Sequence, residues 1–302
     1  MKPFHRTVAT ILFVLFAANL AAQGDAQAEA RLKELGAQIK RTGGAVTELR
    51  IRGAKLGAAE YRLIGGLTAL RTLNLGGRET ALTDGHLALL SGLTNLEAIQ
   101  SDGALLSDEG FRHFAAFRKL RRLALFHPSR DRADFSGAGL AHLRACPNLT
   151  QLTFAGATAG DEAFKAVGQI AQLKEFRQWH NWETSDGIRY LEKLPNLTSL
   201  KMGQRLPHRG ASTKPSLDDA TLAAISRMKT LETLDIQETR LSHAGLSRLK
   251  ALPNLKELKV KWVDAPAEDV EKLRKALPQV KISWEALSPA DEEKYLVKKL
   301  KL

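Results

Sequence analysis

Leucine and its apolar relatives recur along this chain as a ladder with a period near 24 residues. One turn of the ladder reads Leu87, Leu90, Leu93, Leu96, Ile99. A later one reads Leu246, Leu249, Leu252, Leu255, Leu258, Val260. The first strand position of successive turns falls at Val46, Leu70, Leu96, Leu120, Leu149, Leu173, Leu197, Leu231, Leu255 and Val280. The step is 24 to 26 residues except before Leu149, where it is 29, and before Leu231, where it is 34. A near-fixed period of this length specifies a solenoid, because a single unit cannot bury its apolar face and must stack on its neighbours.

Each turn divides into two halves. The first has the form Leu-x-x-Leu-x-Leu, as at Leu70, Leu73 and Leu75, and its alternation at the end is that of a strand with one face inward. The second places apolar residues three apart, as at Phe111, Phe114 and Phe117, and predicts a helix. Thr83-Asp84, Ser107-Asp108, Ser185-Asp186, Asp218-Asp219 and Ser242 supply capping chemistry just before these helices. Pro147-Asn148, Pro195-Asn196 and Pro253-Asn254 mark the return to a strand. Two inward strand positions are polar, Ser101 and Gln178, and those turns are expected to be loosened or bulged.

The units at 252–260 (Leu-Pro-Asn-Leu-Lys-Glu-Leu-Lys-Val) and 106–111 (Leu-Ser-Asp-Glu-Gly-Phe) resemble leucine-rich repeats. They are similar to the ribonuclease-inhibitor-like subgroup with helices on the convex side, and to exported bacterial proteins with a Thr/Ser-Asp-x-Gly-Leu signature. The resemblance covers about residues 45 to 284. It implies an α/β right-handed horseshoe with about ten short parallel strands lining a concave sheet and nine helices outside. It also implies a non-enzymatic binding architecture with no shared chemistry.

Outside the ladder, Lys2 and Arg6 precede an apolar run from Ile11 to Ala22, which is too short to span a bilayer and has the form of a secretory signal. The expected organisation is a leader at 1–22, a capping segment at 23–44, the solenoid at 45–284 and a tail at 285–302. A helix over about 26–41, with Ala28, Leu32, Leu35 and Ile39 on one face, is expected to cap the first turn, ended by Gly43-Gly44. In the tail, Asp291, Glu292 and Glu293 followed by Lys298, Lys299 and Lys301 complement a helix dipole. That helix reads as a cap, a frayed end or a basic membrane-touching segment; it and an uncleaved leader are the only routes to membrane contact. The product is expected in the periplasm or outside the cell, as a monomer.

The net charge of +12 favours acidic partners, and export argues against nucleic acid, leaving a protein or an anionic polysaccharide. The single cysteine, Cys146, occupies a ladder position held elsewhere by Leu93, Phe117 and Leu252, and reads as a buried hydrophobe. His113 and His142 share one helix position, with no third ligand in register, so neither a metal nor a cofactor is expected. No nucleophile–base, paired-carboxylate or phosphate-loop pattern stands out, and catalysis is not expected. Asn148 and Asn196 match glycosylation acceptors only as by-products of the return turn.

The two longest interruptions, together with a shorter one before Leu87, lie where strands pass to helices, on one rim. The first brings His127, Arg130 and Arg132; the second brings Arg205, His208, Arg209 and Lys214. Between them stands Trp179-His180-Asn181-Trp182. With the outward strand residues Arg122, Phe126, Arg177 and Lys201, they compose the candidate ligand surface: Arg122, Phe126, Arg130, Arg132, Arg177, Trp179, Trp182, Lys201, Arg205 and Arg209. The competing readings are that both tryptophans plug the gap left by Gln178, and that the chain is a self-associating scaffold of the cell envelope.

Overall fold

The computed structural model describes residues 25–77, 80–130, 132–207 and 214–302. The leader at 1–22 lies outside them, as do His208 and Arg209. Eleven strands form one open sheet in strict sequence order. β1 (Gln38–Thr42) pairs antiparallel with β2 (Ala45–Arg52). All later neighbours pair in parallel: β3 (Thr72–Gly76), β4 (Ala98–Asp102), β5 (Arg122–Phe126), β6 (Gln151–Ala155), β7 (Glu175–Trp179), β8 (Ser199–Gly203), β9 (Thr233–Arg240), β10 (Glu257–Asp264) and β11 (Lys281–Trp284).

The ladder becomes a row of neighbours across this sheet. Leu49, Leu73, Ile99, Leu123, Leu152, Phe176, Leu200, Leu234 and Leu258 stand side by side, each no more than 1% exposed. The tenth member, Ile282 on the terminal strand, is only half buried. Register runs unbroken through Ser101 and Gln178, so neither turn is bulged. Gln178 is fully buried because its amide donates to the Gly203 carbonyl (3.1 Å) and accepts from Asn181 (3.2 Å).

Nine helical stretches connect β2 to β11 among the described residues. Two of them, Glu109–Ala116 and Ala138–Ala145, are 3-10 rather than α-helical. In these two, Phe111, Phe114 and Phe117, then Leu140, Leu143 and Cys146, face the core at steps of three, a spacing compatible with three residues per turn. Cys146 is buried, and burial pushes its thiol up to about 12, as suits a packing residue.

Both ends differ from the sequence expectation. Residues 25–34 are helical, and Gly36 closes that helix: the Ala37 N–H reaches the Leu32 carbonyl and the Gly36 N–H that of Lys33. Ile39 therefore lies in β1, not in the helix. Gly43 and Gly44, both at positive φ, make the two-residue hairpin between β1 and β2. The C-terminal helix, Pro289–Leu300, does not stand free: it folds back over the ends of β9 and β10. Leu296 and Leu300 are buried there, Tyr295 stacks on Trp262 at 4.9 Å, and Glu292 pairs with Arg240 at 2.8 Å. Its main apolar contacts are made with the solenoid, which takes away the basis for a membrane-touching helix.

Polar rungs tie each turn to the next. Asp84, at the first position of one helix, accepts from the Ser107 N–H (2.9 Å) and hydroxyl (2.7 Å) of the following turn. Asp108 does the same for Ser136, Asp161 for Thr184 and Asp219 for Ser242. Three residues after each of these serines or threonines comes glycine: Gly110, Gly139, Gly187 and Gly245. A Cβ on any of them would overlap the aspartate of the turn before. Turns that follow a helix without this aspartate have His86, Ala163, Thr221 or Asp269 in the glycine position. The signature thus couples two adjacent turns: the aspartate serves the next turn, and the glycine makes room for the previous one. On the other edge Asn95, Asn148, Asn196 and Asn254 each donate to a carbonyl of the preceding turn, at 2.8 to 3.0 Å.

Replacing Gly110 with Ala should cost about 2 kcal/mol, the loss of a charge-assisted bonding pair to a displaced Asp84. In the double variant Asp84→Ala/Gly110→Ala the costs should fall short of additivity by about 1 kcal/mol or more, measured by denaturant unfolding. Strict additivity would mean that the aspartate and glycine are not coupled.

Candidate functional site

The concave face carries one aromatic shelf. Phe126, Ala155 and Trp179 occupy equivalent outward positions on β5, β6 and β7. At the usual strand spacing their outer members are rooted about 10 Å apart. The two rings nevertheless lean to 6.0 Å between centroids, and Ala155 beneath them is only 1% exposed despite facing outward. On the far side, Gly203 leaves room that a side chain would deny, since a Cβ there would overlap the Trp179 Cβ and the Gln237 amide. Lys201 Nζ lies 5.6 Å from the indole and 3.1 Å from Asp235. Its register neighbour Arg177 is exposed and paired with Glu175. The outcome is an apolar centre, half exposed, with charges of both signs along one edge.

The remaining predicted residues disperse. Arg122 is exposed at the opposite end of β5, four residues before Phe126 on the same face. Arg130 donates from Nε to the Gly156 carbonyl at 2.8 Å. Arg132 grips Asp134 with two nitrogens and the Leu105 carbonyl with a third. The loop that bears them is anchored by Phe135, which packs between Phe111 and Phe154, and by the buried Ser129, bonded to both backbone groups of Leu106. Trp182 is half buried on the rim, and its backbone N–H donates to the Ala159 carbonyl. Arg205 is 7% exposed, inside the base of the second long loop. Neither tryptophan plugs the space beside Gln178; Asn181 does, bonding to Phe154, Ala157 and Gln178. His142 lies 3.9 Å from Glu109, and no cluster of three potential metal ligands occurs among the described residues.

Sequence reasoning missed the residue that comes one after the cross-strand row of Phe126, Ala155, Trp179, Gly203, Gln237 and Lys261. That residue is left-handed in most turns, and Gly53, Gly77, Gly103 and Gly156 occupy it without strain. His127, His180, Glu238 and Trp262 occupy it in four others, and each has a side-chain partner that offsets the strain. His127 meets Asp102 at 2.8 Å, and Trp262 stacks on Tyr295. His180 Nε2 lies 2.6 Å from Glu238 Oε2, and Lys299 of the C-terminal helix donates to Glu238 Oε1 at 3.1 Å. Burial of Glu238 opposes its ionisation, but the bonds from His180 and Lys299 prevail and hold its carboxyl below the usual range. The glycine at the same place in neighbouring turns was the signal available in sequence.

A buried polar network closes the second long loop. Gln204 Oε1 accepts from the N–H groups of Ser216 and Leu217, and its amide donates to the Leu217 carbonyl. Ser216 also donates to Glu183, which is fully buried with its second oxygen unpartnered. Burial pushes Glu183 up to about 7, only partly opposed by its own N–H, by Ser216 and by the charge of Arg205.

Between pH 4.5 and 7 the folded chain keeps on Glu183 a proton that the unfolded chain has lost, so this group makes stability fall as pH rises through that window. Each pH unit over which only the folded chain holds the proton is worth roughly 1.4 kcal/mol, so the fall should total about 3 kcal/mol and level off above the window. Glu183→Gln should abolish the descent and unfold at higher denaturant than the parent at pH 8. An unchanged pH profile in that variant would assign the slope to other groups.

No protein-family model matches the sequence, and no curated protein sequence matches it either. Among similar solved structures is internalin C2 from Listeria monocytogenes, at 17% identity over 76% of this chain and 84% of that one, with a TM-score of 0.45. The reading of the fold as a solenoid of leucine-rich turns therefore rests on this chain's own period, its parallel register and the helical stretch between each pair of strands.

Proposed function

We propose that the chain is a non-catalytic binding module whose ligand is a protein surface seated on the concave shelf between β5 and β9. One observation carries this reading: two large rings, Phe126 and Trp179, are held half exposed on the inner face by small neighbours on β6 and β8. Aromatic residues and arginine are what protein interfaces enrich. The contacting residues are Phe126, Trp179, Lys201 and Arg177, with Asp235 beside them. An anionic polysaccharide is the weaker candidate, because Arg130 and Arg132 are engaged within the protein and Arg205 is buried. On the pattern of the leader, the mature chain acts outside the cytoplasmic membrane. No helix among the described residues is long and apolar enough to cross one.

Immobilised wild-type protein should capture a protein partner from the secreted or periplasmic fraction of its own cell. Trp179→Ala should weaken that complex about 30-fold, as loss of a central aromatic anchor does. The melting temperature should change little, since the ring is not part of the core. Binding should depend only shallowly on salt; a steep loss on raising ionic strength would transfer the ligand to the polyanion class. Undiminished affinity in the double variant Phe126→Ala/Trp179→Ala would remove the shelf from the interface.

A further inference from the structure

We infer that two copies of this chain associate through β11, edge to edge and antiparallel, about a two-fold axis at Ser283. β11 is the last strand of the sheet, and its outer edge pairs with no strand among the described residues. The C-terminal helix makes its main sheet contacts with β9 and β10. A cavity of about 580 Å³ runs past it, lined among others by Ile282, Ser283, Trp284, Glu285 and Arg274. Ile282 and Trp284 are half buried where their counterparts in earlier turns are sealed, and the Trp284 indole N–H is buried without an acceptor.

Three independent features of Lys281-Ile282-Ser283-Trp284-Glu285 agree on the same self-pairing. The first is hydrogen-bond parity. The Lys281 N–H donates to Lys256, so residues 281 and 283 bond toward β10, and by alternation the N–H and C=O of Ile282 and Trp284 point outward. An axis at Ser283 then sets Ile282 opposite Trp284 of the second copy, and each such pair exchanges two backbone bonds. The second is side-chain facing. Ile282 and Trp284 lie on the core face, so both cross-strand pairs there are apolar and aromatic. The third is charge. On the concave face Lys281 comes opposite Glu285 of the second copy, twice per dimer. Both are exposed in the protomer; Lys281 reaches only Glu257, at 3.9 Å, and Glu285 has no ion pair among the described residues.

The other end of the sheet does not share this property. β1 carries Lys40 and Arg41 with no acidic residue, so self-pairing there would juxtapose like charges. Pairing β1 with β11 would be head-to-tail and would not close. The symmetric β11 contact closes at two copies and leaves both concave shelves open to ligand. It departs from the sequence expectation of a monomer, which had no means of seeing that the outer edge of the last strand pairs with no strand among the described residues.

Sedimentation velocity across a concentration series tests this, with wild type, Lys281→Glu, Glu285→Lys and the double swap, all checked for equal circular dichroism. Wild type and the double swap should reach dimer mass. Each single reversal should weaken association by about tenfold or more, because it opposes like charges twice. The two single variants mixed together should dimerise with each other, since every Lys–Glu contact is then restored. A wild-type protein that stays monomeric throughout overturns the proposal. So does a dimer indifferent to the single reversals, or assembly that grows beyond two copies.

Discussion

Every feature of this molecule depends on one requirement, that each turn seal against the next in register. A turn of about 24 residues has an apolar stripe and two ends rich in unpaired backbone groups, and it is stable only when a neighbour covers both. The apolar stripe supplies the driving force, but it does not by itself set the offset between turns. The offset is set at the edges. At the strand-to-helix edge an aspartate of one turn binds the serine or threonine of the next, and a glycine leaves space for it. At the helix-to-strand edge an asparagine amide binds the carbonyl of the turn before. These polar rungs make the stack polar at its edges without leaving buried groups unsatisfied.

Interruptions of the period had to be sealed by the same rule. The first insertion sinks Phe135 and Ser129 into the core, and Arg132 closes on Asp134. The second is folded around Gln204, Ser216 and Glu183, with Arg205 inside. Both insertions carry arginines, yet most of those described are committed to holding the loops. That leaves the concave shelf, where the sheet itself presents side chains and no sealing is needed. Strain accepted at His180, Glu238 and Trp262 is likewise put to use, in contacts that position the C-terminal helix.

The sequence by itself determined the repeat, the strand positions, the inward row and the helical half of each turn, because all of these follow from apolar spacing, a property of near neighbours. It also placed Phe126, Trp179 and Lys201 on the outward face, since alternation along a strand is local. It could show the coupling of Asp84 to Gly110, but only once the stacking direction was known. Tertiary structure alone decided the rest, for a shared physical reason: those contacts join residues whose separation carries no period. His180 and Glu238 are 58 positions apart, Glu238 and Lys299 are 61, and Ser216 and Glu183 are 33. Whether a loop arginine is free or engaged depends on where an insertion folds, and its residues do not repeat. The route of the last helix depends on which apolar surface its leucines reach, and amphipathic spacing says only that they need one.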